Sequence, residues 1–391
     1  MLLFEGEFSR REKGKLAELR RASGRTMNSP QECERLYAGA RRLQAADFEH
    51  AGALATITRT LGSTFRRAGT SMLVNADGSV VCALSGGCPQ RDILLRALRV
   101  IATDRPEVAR YNRDSGLDVL MEMGCGGELE VLIEPLSRAR DMHFLEVVAN
   151  SCSQRVAGFM ATAFAQEGAA LSPRPQRLVW IGTVEWNDIR DAALATLIMS
   201  IGIDLSPHSR AVVQRVETAH GTVDVLFEVL RPVHALIAIG INAASLALAD
   251  IAGRLGWRIL LIDHLDSPAE AATLPANTRV LHATPEALRR IVPLDRYSSV
   301  VVMTFNVERD IAYLNALADA PVAYLGAIGS RERSSRMHAE TAGARLHAPA
   351  GLDIGSETPE EIALAVSAEI LAHLNARAGG SLSSSSGTIH P

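Results

Sequence analysis

The sequence predicts an α/β chain of two domains, a mixed α/β domain followed by a domain built on a parallel sheet. A chain of 391 residues with 47% hydrophobic and 21% charged residues is long enough to bury two cores rather than one. Short apolar runs bounded by turn residues alternate with helical stretches from about residue 53 to residue 230. After Arg231-Pro232 the rhythm becomes strand, helix, strand at βαβ spacing, and the strands are apolar throughout, as burial on both faces of a parallel sheet requires.

Residues 1–46 are polar and rich in Arg and Glu, with Leu16, Leu19, Leu36 and Leu43 as apolar anchors, and they are expected to form a helical arm. Residues 47–231 form the mixed domain. Its strands are expected at Ala53 to Thr60 and Met72 to Asn75, then, after a turn at Asp77-Gly78 that suits a hairpin, at Ser79 to Leu84. A helix is expected from Pro89 to about Ala102, a strand from Leu129 to Leu136, and a helical segment from Phe144 to Ala165 that ends before the break Ser172-Pro173-Arg174-Pro175. Strands at Leu178 to Val184 and Thr222 to Leu230 flank a helix around Asp188 to Ser200.

In residues 232–376 the expected elements are a strand at Ala235 to Ile239, a helix at Ala244 to Leu255, and strands at Arg258 to Asp263 and Ser298 to Met303, an arrangement that is Rossmann-like. The last helix should start at Thr358-Pro359-Glu360-Glu361, where Thr358 caps, Pro359 takes the first helical position and Glu361 closes a capping box, and should run to about Asn375. Residues 377–391 are Gly- and Ser-rich, hence a flexible tail.

The charge balance, 40 basic against 44 acidic residues, supplies no basic stripe, so nucleic acid is not an expected partner. The apolar stretch Ala235 to Ala249 is interrupted by Asn242 and Ser245 and falls short of the roughly 18 to 20 residues of a span, so no membrane association is expected. Met1 to Phe4 is too short for a signal peptide. A cytoplasmic location and free thiols fit best, since Cys33, Cys82, Cys88, Cys125 and Cys152 are odd in number and form no C-x-x-C pair.

Two turns carry the candidate chemistry. Ser85-Gly86-Gly87-Cys88-Pro89 leaves a strand and enters a helix, which sets Cys88 where unpaired N–H groups and the positive end of the helix dipole converge. That position favours an anion or a thiolate, and the glycines let a ligand approach the backbone. Gly124-Cys125-Gly126-Gly127 sets a second thiol among glycines. Against this stands a simpler reading in which each cysteine is a small buried hydrophobe and each glycine pair a turn. Cys82 is read as a packing residue. In the second domain Gly240 follows the first strand, Asp263 closes the next where a ribose-binding carboxylate would stand, and Asp353 lies between Gly351 and Gly355. No H-E-x-x-H or Walker loop is present.

The order of these motifs resembles the XdhC/CoxI family. In the first half they are Met72-Leu73-Val74, Asp77-Gly78, Ser85-Gly86-Gly87-Cys88, Gly124-Cys125-Gly126-Gly127 and Glu130 to Leu136. In the second half they are Val301-Val302-Met303-Thr304, Tyr324 to Arg331, His347 to Gly355, Glu357 to Ala363 and Gly379-Gly380-Ser381-Leu382. The resemblance implies an accessory protein that binds the molybdenum cofactor (molybdopterin), assists its sulfuration by a cysteine desulfurase, and inserts it into an apo molybdenum hydroxylase of the xanthine dehydrogenase type. A homodimer is also in keeping with it. On that reading Cys88 and Cys125 meet metal or sulfur, and Ser85, Gly86, Gly87, Gly126, Gly127, Gly240, Asp263 and Asp353 line the cofactor.

The chain departs from the family pattern at Ser71 (usually Lys), Gln90 (usually acidic) and Phe305 (usually His), and at Asn242, where the family loop has its second glycine. An NAD(P)-dependent oxidoreductase and a scaffold that has lost its cofactor are the rival readings. Asn242 would crowd a pyrophosphate, so NAD(P) is not an expected ligand.

Overall fold

The computed structural model describes residues 30–46, 51–62, 64–84, 88–112, 127–182, 184–205, 210–264, 274, 278–341 and 345–384. The chain divides between Pro232 and Val233 into two compact units.

The N-terminal unit opens with α1 (Pro30–Ala45), which buries Leu36, Ala40 and Leu43, spaced by four and three residues as one helical face requires. Next come β1 (Gly52–Leu61), β2 (Ser71–Asn75) and β3 (Val80–Val81), the last two joined by a turn in which Gly78 takes φ +80° and Asn75 N–H donates to Ser79 O. Helix α2 (Cys88–Thr103), β4 (Glu107–Tyr111) and β5 (Glu128–Leu136) complete the first sheet, in the order β3-β2-β1-β5-β4. Strand alternation sorts its two faces. Ala53, Ala55, Ile57, Val131 and Ile133 pack under Ile93, Ala97 and Val100 of α2. Leu54 and Leu136 point to the other face, where α1 and the second sheet meet them.

That second sheet follows α3 (Ala139–Gln154) and contains β6 (Gly158–Gln166), β7 (Ala169–Ala170), β8 (Gln176–Ile181) and β9 (Val184–Asn187). After α4 (Ala192–Ile203) come β10 (Val212–Thr218) and β11 (Gly221–Leu230), giving the order β10-β11-β6-β8-β9 with β7 on the margin of β6. Two expectations change here. The helical segment Phe144 to Ala165 is half helix and half strand: α3 ends at Gln154, Arg155 takes a left-handed φ of 55°, and β6 pairs on both sides with β8 and β11. The alanines of Phe159 to Ala165 are good helix formers, but a central position with both faces buried outweighs local propensity. The strand expected at Leu178 to Val184 turns at Gly182, φ +59°, into the hairpin β8–β9.

The C-terminal unit alternates strand and helix: β12 (Ala235–Ile239), α5 (Ala243–Arg254), β13 (Arg258–Asp263), β14 (Thr278–His282), α6 (Pro285–Ile291) and β15 (Ser298–Val302). It continues through α7 (Val307–Leu317), β16 (Tyr324–Ala327), α8 (Arg331–Glu340), β17 (Leu346–His347) and α9 (Pro359–Leu374). The sheet order is β14-β13-β12-β15-β16-β17 and every pairing is parallel. This is the order 3-2-1-4-5-6 of the doubly wound Rossmann fold, with its switch point between β12 and β15. Helices α5 and α9 cover one face, through Leu248, Ala252, Val366 and Ile370, and α6 and α7 cover the other, through Leu288, Tyr313 and Leu314. The capping box at Thr358 forms as expected: Thr358 Oγ1 accepts from Glu361 N–H, and Glu361 Oε2 accepts from Thr358 N–H at 3.0 Å. Leu382–Ser384 makes one 3-10 turn. Among the described residues no helix is long and apolar enough to cross a membrane.

Candidate functional site

In the N-terminal unit, α2 begins at Cys88 with Pro89 behind it and no acidic residue in its first turn, so its positive end is uncompensated from within the helix. The Cys88 side chain lies outside the described residues, as do Ser85, Gly86, Gly87, Cys125 and Gly126. Gly127 is buried at the entrance to β5. The Gln90 side chain accepts from Leu84 N–H at 3.3 Å and donates to Met72 Sδ at 2.8 Å, while Ser71 Oγ lies 2.8 Å from Thr56 Oγ1. A carboxylate at position 90 could not donate to that sulfur. Cys82 takes a left-handed φ of 64°, packs half-buried against the α1 core, and lies 3.8 Å from Glu32 O; burial, helped by Glu32, pushes its thiol pKa up. A thiol held above its ordinary pKa carries little thiolate at neutral pH.

In the C-terminal unit the switch point has the expected residues but is closed. Gly240, φ +100°, runs so near the β15 loop that a Cβ would stand 2.9 Å from Thr304 Cα, so only glycine fits. Asn242 caps α5: its Oδ1 accepts from Ala244 N–H at 3.0 Å and Ser245 N–H at 3.1 Å, and Ser245 Oγ accepts from Asn242 N–H at 2.9 Å. Its Nδ2 donates across the crevice to Met303 O at 2.8 Å. The donors that a pyrophosphate would use in a dinucleotide site are therefore consumed by the side chain of Asn242, itself 6% exposed.

Asp263 ends β13 as expected but turns inward. Its Oδ2 accepts from Ile241 N–H at 3.2 Å, which ties it to the Gly240 loop, and its Oδ1 lies 2.9 Å from His264 Nδ1. Beside them Thr304 Oγ1 donates to Asp310 Oδ1 at 2.5 Å. Arg333 from α8 reaches Thr304 O at 2.7 Å and pairs with Asp310, whose carboxyl burial pushes up against the pull of those partners. Phe305 stands 86% exposed next to this knot. Asp353 is exposed in the turn between β17 and α9.

That turn is held by Glu369 of α9, which accepts from Tyr324 Oη at 2.5 Å and Gly351 N–H at 2.7 Å and lies 3.1 Å from His347 Nδ1. Burial alone would raise its carboxyl; the donors from His347, Tyr324 and Gly351 override that and hold the pKa at about 2.

Sequence reasoning missed a charged seam between the two sheets of the N-terminal unit. Glu134 of β5 and Arg177 of β8 form a bidentate buried pair, with the guanidinium 3.9 Å from the centre of the Phe144 ring. Glu228 of β11 is buried beside them. Arg59 ties Glu130 of the first sheet to Asp224 of the second, the latter at 2.8 Å. The available signal was parity: Glu130 and Glu134 alternate onto the same face of β5 as Leu132 and Leu136, which are buried. Among the described residues no group of three or more His, Cys, Asp or Glu is placed to hold a metal ion.

Comparison with known proteins gives two family matches in chain order, the XdhC and CoxI family over residues 46–112 and the XdhC Rossmann domain over residues 236–370. A probable xanthine dehydrogenase subunit of Bacillus subtilis (strain 168) is 25% identical over 321 residues, which span 81% of this chain and 92% of that one. The molybdenum cofactor insertion chaperone PaoD of Escherichia coli (strain K12) is 23% identical over 330 residues, 81% of each chain. A crystal structure of a xanthine dehydrogenase from Bacillus halodurans shares the fold, with a TM-score of 0.71 over 89% of this chain and 98% of that one at 24% identity. With a mixed α/β unit matching the first family model and a 3-2-1-4-5-6 parallel sheet matching the second, the chain belongs to the XdhC/CoxI family.

Proposed function

We propose that this protein is a maturation factor for a molybdenum hydroxylase of the xanthine dehydrogenase type, binding the molybdenum cofactor and passing it to the apoenzyme. The observation that carries the reading is the filled anion seat at Asn242: a Rossmann sheet whose helix donors are spent internally is poorly suited to a nicotinamide cofactor, which weighs against an NAD(P)-dependent oxidoreductase. Likeness to an insertion chaperone over most of the chain supports the role.

The start of α2 fits the cofactor on chemical grounds. Its first turn has N–H groups free of any acidic side chain of the helix, and Gln90 is held away by Leu84 and Met72. In this reading Cys88 and Cys125 contact molybdenum or its sulfur, since thiolates suit that metal, and Ser85, Gly86, Gly87, Gly126 and Gly127 supply backbone contacts for the phosphate. The bound cofactor would supply the oxo-transfer centre of the client enzyme; the residues named here only hold it and shield it from water. Sulfuration by a partner cysteine desulfurase, and a homodimeric state, belong to the same proposal.

The test is co-expression with a working cofactor pathway, followed by measurement of bound molybdenum and molybdopterin per chain in the wild type and in Cys88→Ala. Retention by the wild type and its loss in the variant are expected. A wild type that retains none, yet still pairs with a hydroxylase, would leave the scaffold reading in its place.

A further inference from the structure

The inner faces of the two sheets of the N-terminal unit do not close completely on one another. Leu54 and Thr56 stand at alternate positions of β1 and so share a face, as do Met160 and Thr162 in β6 and Leu226 and Glu228 in β11. These side chains line one chamber of about 40 Å³, covered by Leu36 of α1 and Val148 of α3.

Strand pairing sets its polar side. Thr162 is flanked by Leu226 of β11 and Arg177 of β8, and Glu228 lies opposite Met160, so the two polar residues of β6 and β11 are diagonal neighbours with Arg177 beside them. Glu228 and Thr162 are each 2% exposed, and neither makes a hydrogen bond to another described residue. Both Nη atoms of Arg177 go to Glu134, while its Nε is buried without a partner. From the first sheet Thr56 Oγ1 and Ser71 Oγ, 2.8 Å apart, face the same space.

Charge and size decide what belongs there. Glu134 and Arg177 neutralise each other, and burial keeps the Glu228 carboxyl protonated at neutral pH, so the chamber has no net charge with which to attract an ion. It is too small for a metabolite but has room for about two or three water molecules, at roughly 10 to 15 Å³ each. A chamber lined only by apolar groups would stay dry. This one is lined by a carboxylic acid and a hydroxyl without partners and by Arg177, and leaving buried polar groups unbonded costs more than immobilising the water that serves them.

We propose that the chamber is an internal hydration site, in which a small cluster of ordered water bridges Glu228 of β11, Thr162 of β6 and the Nε–H of Arg177 on β8. The acid hydroxyl of Glu228 and Arg177 Nε–H donate to the cluster; the Glu228 carbonyl oxygen and Thr162 Oγ1 accept from it. Water thereby ties together three strands at a depth where their side chains make no direct bond, and gives the buried acid a partner through which its proton exchanges. The site uses neither Cys88 nor Cys125, so it stands or falls apart from the cofactor reading above.

The test is a crystal structure of the full chain at a resolution that shows ordered water, with density expected in the chamber within hydrogen-bond distance of Glu228 and Thr162. Glu228→Gln, whose amide keeps one donor and one acceptor in place, should retain that density, whereas Glu228→Leu and Thr162→Val should each lose at least one water. Oxygen-17 relaxation dispersion reads the same difference in solution: the number of long-lived internal waters should be unchanged in Glu228→Gln and lower by at least one in Glu228→Leu. Xenon gives the opposite signal, because it enters dry apolar cavities, and wild-type crystals under xenon pressure should take up none in this chamber. The two wild-type crystals need no variant, so they decide the matter even if Glu228→Leu fails to fold. Xenon bound in the wild-type chamber, the absence of ordered water there, or an equal count of internal waters in the wild type and Glu228→Leu would each overturn the proposal.

Discussion

Glu228 is a carboxylic acid in a place that does not tolerate a charge. Complete burial pushes its pKa up to about 8; the Arg177 charge pulls it down and the Glu134 charge pushes it further up. The folded protein therefore holds this proton where the unfolded chain, with an ordinary value of 4.5, releases it. The resulting stabilisation is full below 4.5 and is lost as pH rises from there to about 8. Glu228→Gln removes the titration, so the variant should gain on the wild type across that window by on the order of a few kcal/mol, at ~1.4 kcal/mol per unit of pKa shift. Thermal melts of both proteins at acid and mildly alkaline pH check this, and a constant difference between them would count against a buried proton. Such a residue was not legible in the sequence. A lone Glu in an apolar strand looks like a solvent-facing position, and the arginine beside Glu134 lies 43 positions along the chain.

At the scale of elements, the Glu134–Arg177 pair fixes how the two sheets of the N-terminal unit dock. Both partners are buried, so Arg177→Met leaves Glu134 dry and uncompensated and should cost ~3–5 kcal/mol. Arg177→Met with Glu134→Leu should recover much of that loss, because an apolar pair of similar volume leaves no isolated charge behind. Urea denaturation of the two variants distinguishes the cases. Elements with a clear period were legible: β1, β2, β5, α2, β11, β12, α5, β13, β15 and α9 lie close to where alternation, βαβ rhythm and capping chemistry put them. β6 was not, because its alanines carry helical propensity and its strand character comes from β8 and β11 on either side. β4 and β10, each paired with a single neighbour at a sheet edge and rich in polar residues, present no apolar run to detect.

For the whole molecule, the change of rhythm after Arg231-Pro232 falls where the chain divides into two compact units. Each unit has its own core, so residues 233–385 expressed alone should melt cooperatively with an α/β circular dichroism spectrum. A gradual, featureless melt would mean that the six parallel strands depend on the rest of the chain. The candidate site was legible in part: Gly240 and Asp263 are joined through the Ile241 N–H, and the motifs ending β15 and β16 meet through Arg333 and Asp310. Only the structure reveals that Asn242 does more than crowd the loop, because its bond to Met303 O joins segments 61 positions apart. That bond has a corollary for ligand traffic: the loop is plugged by a side chain of its own, so a nicotinamide dinucleotide would have to pull Asn242 away from Met303 O and from the start of α5 before its pyrophosphate could enter.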